Sequence, residues 1–252
     1  MRLYTFAMSH YSEKIRWVLD HSHLPYEEVC MTPVFHIRPA LKMGKRGQTT
    51  LPILQDGDQC VQDSSRIVFW LEQNKGALTL LPQSDRELVI KISEKFDQMG
   101  RDVARFLYAN SFGHSDQHIQ ALWTEHASTW QKLIIKTAYP LIRKGFERKL
   151  GIHKLSGVER ARQKIEDAVT WLDKHVKTLP THEPFLVGKQ LSLADVTAAS
   201  LLAPIACPAQ HPVYGDAAYK QAMAAAIEPW ANRPAMKWVR QLYSEHRLNA
   251  MA

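Results

Sequence analysis

The chain has 252 residues, 45% of them hydrophobic, which is enough to bury a substantial core and excludes a disordered chain. Lysine and arginine exceed aspartate and glutamate by 32 to 25, a modest net +7 with no Lys/Arg run resembling a nucleic-acid arm, so the basic residues read as solvated helix faces. Cys30, Cys60 and Cys207 are an odd set without metal-ligand spacing, which argues against a disulfide framework or a zinc site and for a reducing compartment. The tract "ADVTAASLLAPIACP" is too short and too interrupted by Pro204 and Pro208 to span a bilayer, and "MRLYTFAMSH" lacks the apolar core of a signal peptide. The expectation is a cytoplasmic protein.

In chain order, residues 2–8 ("RLYTFAM") form a short apolar and aromatic run expected as a buried strand. The period then changes in "SHYSEKIRWVLDHSH", where Ile15, Val18 and Leu19 recur at helical spacing behind serines able to cap a helix. "PYEEVCM" reads as a second strand and "FHIRPALKMGKRG" as a loop with one irregular helix. "TLPIL" and "QCVQD" pair as a hairpin about Asp56-Gly57, and residues 65–74 return to helix. This order predicts a small α/β sheet with helices packed on it.

After the linker "ALTLLPQSDREL" no further strand is expected. Ile92, Phe96, Met99, Val103, Phe106 and Leu107 mark one helix face, and Ala161, Ile165, Val169, Leu172 and Val176 another, both read as core. The chain therefore divides into an α/β domain over 1–78 and an all-helical domain over 85–252. Ser192 and Asp195 in "KQLSLADVTAAS" stand as a capping box, a folding device worth on the order of 1 kcal/mol.

Two sites carry chemistry. At the hairpin, a cis Leu51-Pro52 bond would turn the Leu51 backbone outward, where it could pair with an extended peptide as an added strand. Asp63 and Ser64 follow at a helix start: Ser64 and its N–H suit a carboxylate, and Asp63 an ammonium, so a zwitterionic amino-acid end satisfies both. The same two residues read equally as a helix N-cap. At the first helix start, Ser9 and Ser12 would offer hydroxyl donors and a positive helix end to a thiolate. Lowering a thiol pKa from about 8.5 by two units takes roughly 2.7 kcal/mol, the scale such groups supply.

"SHYSEKIRW", "TLPIL", "QDSSRIVFWLE", the "LLP" linker and "FLVGKQLSLADVT" together resemble the cytosolic glutathione transferases. That resemblance implies a thioredoxin-like first domain, an all-helical second domain, a homodimer, and glutathione as co-substrate. Ser9 matches the residue that stabilises the glutathione sulfur in serine-type, theta- and zeta-like members, and a serine there argues against mixed-disulfide chemistry. Ser12 is the second choice for that role and Tyr4 a third, with His10 a further proton donor or an exposed helix-end residue. Leu51 and Pro52 would hold the cysteinyl backbone, and Asp63 and Ser64 the γ-glutamyl end, with Arg66 beside them. The glycine carboxylate would take a cation from His36, Arg38, Lys42 or Lys45. Arg105, Tyr108 and Phe112 are candidates for the pocket of a hydrophobic electrophile, which "SFGHSDQHIQALWTEHASTW" would enlarge or cover; Trp123 and Trp130, seven apart, would share a helical face. The implied partners include neither nucleic acid nor membrane. Two other functions stay open on this scaffold: a glutathione-dependent isomerase or dehalogenase, and a non-catalytic binding or regulatory protein.

Overall fold

The structure is a computed structural model that describes residues 1–180 and 183–247; residues 248–252, the end of the expected second domain, lie outside the described residues. Four strands and three helices build the first part: β1 Arg2–Thr5, α1 His10–His21, β2 Glu27–Cys30, α2 Ile37–Met43, β3 Ile53–Asp56, β4 Gln59–Gln62 and α3 Ser64–Lys75. The sheet order is β2-β1-β3-β4, with β1 and β2 parallel and the other two pairs antiparallel. Tyr4 stands opposite Ile53, and Ile53 opposite Gln62, as the hairpin pattern requires. This is a thioredoxin-like sheet. β1 ends at Thr5, so Phe6–Met8 form a turn instead of extending the strand, and the expected irregular segment holds the regular helix α2.

The second part is helical: α4 Arg86–Ser111, α5 Asp116–Thr124, α6 Thr129–Leu150, α7 Leu155–Val176, α8 Leu193–Ala206, α9 Ala217–Ala231 and α10 Pro234–His246. No strand occurs among its described residues. α8 is buried along its whole length because "LADVTAASLLAPIA" has no charged residue after the first turn, and it packs between α4, α1 and α10. Its start is held by the expected box: the Asp195 carboxylate accepts Ser192 N–H at 2.9 Å, Ser192 Oγ–H at 2.6 Å and Leu186 N–H at 2.7 Å. Trp123 and Trp130 do not share a face. Trp123 is buried on α5, whereas Trp130 opens α6 and is 57% exposed, because a second capping box, Ser128 with Gln131, starts a new helix between them.

One apolar core runs through both parts, joining Leu3, Ile15 and Leu71 to Phe96, Val103 and Leu201. Each fully buried side chain of this size contributes about 1.5–3 kcal/mol. Where α1 meets α4 the approach is close: a Cβ at Gly100 would collide with the Tyr11 side chain, and the Tyr11 hydroxyl donates to the Asp97 carbonyl at 2.7 Å.

Candidate functional site

Ser9 is the N-cap of α1. Its extended backbone (φ −91°, ψ 115°) lets Oγ accept the Ser12 N–H at 3.2 Å, while its own N–H donates to the Phe6 carbonyl at 3.0 Å. A serine that caps as an acceptor keeps its hydroxyl proton for another group. Ser9 is half-buried; Ser12 is fully buried and its Oγ has no partner. Tyr4 donates to Gln55 Oε1 at 2.8 Å and is committed to the sheet.

His10 corrects the sequence expectation of an exposed helix-end residue. It is 5% exposed, its Nε2 lies 2.9 Å from the Gly100 carbonyl, and burial holds its pKa near 4. The ring is therefore neutral at pH 7 and binds α1 to α4. Beside it, fully buried Lys14 reaches both Asp97 carboxylate oxygens at 2.9 and 2.7 Å, and Ser65 Oγ donates to Asp97 at 2.6 Å. Deeper in α1, Glu13 is paired with Arg247 at 2.8 Å and Arg16 at 3.4 Å, so the described end of the chain is tied to the site helix.

The hairpin residues gather on one edge. The Leu51-Pro52 peptide is cis, and the Asp63 N–H donates to the Pro52 carbonyl at 3.3 Å. Asp63 has φ 92° and caps α3, its Oδ1 accepting Ser65 N–H at 3.1 Å and Arg66 N–H at 3.2 Å. That backbone conformation is uncommon outside glycine and marks Asp63 as held by its surroundings. Ser64 is the buried first residue of α3, and Arg66 faces outward. Leu51 packs with Phe6 and Met31, which joins the hairpin edge to the Ser9 turn. Gln62, absent from the sequence reading, pins the intervening loop: it accepts Lys45 N–H at 2.8 Å and donates to the Thr50 carbonyl at 2.7 Å. Of the loop cations, Arg38, Lys42 and Lys45 are exposed. His36 drops out, because it is buried and, through burial and then Lys149, held near pKa 4.

Next to the Ser9 turn lies a small apolar cleft that opens to solvent. Phe6, Ala7 and Met8 form one wall, Met31–Pro33 another, and Tyr108, Trp123, His126 and Phe146 the helical side. Of the three electrophile candidates, Tyr108 lines this cleft. Its hydroxyl donates to Met8 Sδ at 3.6 Å and accepts Trp123 Nε1–H at 3.3 Å, and burial pushes its pKa up to about 12, so it stays protonated. Phe112 packs behind Tyr108, with ring centroids 5.0 Å apart. Arg105 is turned away to the Leu150 carbonyl and to Asp102 at 2.7 Å, and forms no part of the cleft wall. Leu122, Trp123 and His126 come from the segment expected to cover the pocket. Tyr214, which the sequence reading missed, donates its hydroxyl to the Met8 carbonyl and props the turn from behind. No cluster of metal-ligating side chains occurs among the described residues, and the three cysteines are free thiols.

These features are shared with known proteins. A glutathione S-transferase N-terminal domain model matches residues 3–79, and a glutathione S-transferase C-terminal domain model matches residues 156–210, together more than half of the chain. Comparison with curated proteins gave no match. Among solved structures, a glutathione S-transferase of Ceriporiopsis subvermispora in complex with glutathione is 16% identical, with TM-score 0.63 over 100% of this chain and 99% of that one. One from Methylobacterium radiotolerans, in complex with glutathione sulfonate, is 16% identical, with TM-score 0.61 over 97% and 90%. The beta-etherase LigF of Sphingobium sp. strain SYK-6 is 21% identical, with TM-score 0.57 over 95% and 98%. A thioredoxin-like sheet with its cis-proline hairpin, an all-helical second part and both domain models place the chain in the glutathione S-transferase superfamily.

Proposed function

We propose that the protein is a serine-type, theta/zeta-like glutathione transferase that binds glutathione along the hairpin edge and activates its thiol at Ser9. The observation that carries this reading is the N-cap serine, half-buried at the head of a 12-residue helix and beside an apolar cleft. Leu51 would pair with the cysteinyl backbone, Asp63 and Ser64 would take the γ-glutamyl end, and Lys42, Arg38 or Lys45 the glycine carboxylate. The Ser9 hydroxyl then donates to the sulfur, and the first-turn amides of α1 favour its anion. An electrophile lying against Tyr108 and Trp123 would meet that sulfur: a carbon–sulfur bond forms, the electrophile's leaving group departs with its electron pair, and Ser9 stays unmodified. The buried Ser12 would serve as support. The bound glutathione of the Ceriporiopsis enzyme supports the co-substrate. The same reading includes domains over 1–78 and 85–252, a homodimer and a cytoplasmic setting.

The test is an ultraviolet titration of the thiolate of bound glutathione in the wild type and in Ser9→Ala. Removing one charge-assisted hydrogen bond, worth about 1.5–3 kcal/mol, should return the bound thiol one to two units toward its free value of about 8.5. It should also lower kcat/KM for an electrophile at pH 6.5 by about 5- to 50-fold. An unchanged thiol pKa in Ser9→Ala overturns the assignment. Product analysis separates conjugation from isomerisation or dehalogenation, and binding without turnover identifies a non-catalytic module.

A further inference from the structure

Large apolar side chains stand out into solvent on two neighbouring elements. On α6, Trp130 is 57%, Leu133 65%, Ile134 42% and Leu141 75% exposed. At helical spacing these four, together with Lys144 and Arg148, fall within about 60° of a single line along the helix. The opposite face, with Ile135 and Tyr139 buried, seats α6 against α5, so the stripe is a true outer surface. At α2, Val34, Ile37 and Leu41 are 36%, 40% and 46% exposed. The two elements meet: the Phe35 and Trp130 rings contact edge-on at 4.9 Å, and Lys149 Nζ donates to Thr49 Oγ1 at 3.3 Å.

The positive charge of the molecule is concentrated on the same two segments, with Lys144 and Arg148 on the line of the apolar stripe. Residues 33–50 carry four Lys/Arg and no acidic residue, and α6 carries six against Glu147 alone. The combined excess of nine exceeds the +7 of the whole chain, so the remainder is net negative. The sequence reading took these residues for solvated helix faces; in the fold the two segments that carry them lie side by side. An apolar ridge among lysines and arginines fits an interfacial helix on an anionic bilayer. A polynucleotide would use the charge and leave the ridge in water. A second copy would bring the same positive surface against itself and be repelled. α6 lies outside both matched domain models, whereas α2 lies within the first.

We infer that α2 and α6 form a peripheral docking face for an anionic lipid bilayer. Trp130, Leu133 and Leu141 enter the headgroup layer, and Lys144 and Arg148 lie against lipid phosphates. This reverses the expectation of no membrane partner, which rested on the lack of a spanning segment. Pro33 and Phe146, from the two docking segments, line the apolar cleft. A docked molecule therefore holds that cleft at the lipid edge, where membrane-dissolved electrophiles concentrate; this consequence rests on the conjugating role proposed above, whereas the docking does not.

The experiment is vesicle flotation of the full chain with phosphatidylcholine alone and with phosphatidylcholine containing phosphatidylserine. Each basic residue at an anionic surface is worth about fivefold in partition. Binding is expected only to the serine-lipid vesicles, weakening at high salt. Lys144→Glu/Arg148→Glu should reduce it at least 20-fold, and Leu133→Glu/Leu141→Glu at least tenfold, with circular dichroism and thermal melts unchanged. Since all four positions are outer-face residues, the charge pair carries the test alone if the leucine pair fails to fold. Failure to float with serine-lipid vesicles, equal binding to neutral ones, or full binding by the charge variant overturns the inference. So does a leucine variant that changes the sedimenting mass without changing flotation, which would identify a protein interface.

Discussion

Glu13→Gln is expected to cost about 3 kcal/mol of stability at pH 7, and the reason lies in how α1 is anchored. The Glu13 carboxyl is 2% exposed, and burial alone would raise its pKa; His211, Arg247 and Arg16 more than reverse this and hold it near 2. His211 is itself buried, held near 4 and so neutral at pH 7, which leaves the two guanidiniums to act there. The fall of the Glu13 pKa from 4.5 to about 2 includes a share from protonated His211 that is absent at pH 7, so the size of the stabilisation comes from the ion pairs: breaking a buried pair costs about 3–5 kcal/mol. Its sign is that of a depressed carboxyl: the stabilisation is complete above pH 4.5 and lost as pH falls through 2. Arg16 keeps Glu28 and Arg247 keeps Asp20, each at 2.7 Å, so neither charge is stranded and the cost sits at the low end for a buried pair. Urea unfolding of the wild type, Glu13→Gln, Arg247→Gln and the double variant measures both loss and coupling. A loss below about 1 kcal/mol, or single losses that add within about 0.5 kcal/mol, would refute the reasoning.

Acid should loosen the fold well before its carboxylates protonate. His10, His36 and His211 are each held near pKa 4, burial being the first cause in all three, against an ordinary 6.5. The unfolded chain takes up these protons first, so stability is complete above pH 6.5 and declines toward pH 4. About 5 kcal/mol should be lost between pH 7 and 5, read as the urea midpoint; a flat midpoint across that range rules this out. Asp195→Ala removes an acceptor that serves three donors at the start of α8 and should cost about 3 kcal/mol or more. At about 2–4 °C per kcal/mol for a chain of this size, the melting temperature should fall by roughly 6–12 °C, and a fall below about 3 °C contradicts the role given to it.

Local signals carried most of the architecture. The hairpin, the α1 and α3 starts and the Ser192/Asp195 box are each written within a few residues; the last three stand where the sequence placed them, and the hairpin turns at Gly57-Asp58, one residue beyond the expected Asp56-Gly57. The division of Trp123 from Trp130 was also written locally, in Ser128 and Gln131, but a seven-residue spacing masks a helix break when only apolar residues are counted. His10 and Lys14 were illegible for another reason. Their partners, Gly100 and Asp97, lie more than 80 residues away, and polar types at a helix start read as solvent-facing until the packed helix is known. The cleft was half-visible: Tyr108 and the Trp123 segment were named, whereas Phe6 and Met8 were hidden by extending β1 three residues too far.

The bare backbone of Gly100 beneath Tyr11 has a consequence for how a guest molecule is received. A ring pressed on one helix, an imidazole bonded to its carbonyl and a lysine clasped one turn earlier tie α1 to α4. On the proposed function, selectivity is then expected to follow the outline of the walls, and recarving them should change what is accepted more than altering the seam between the two parts.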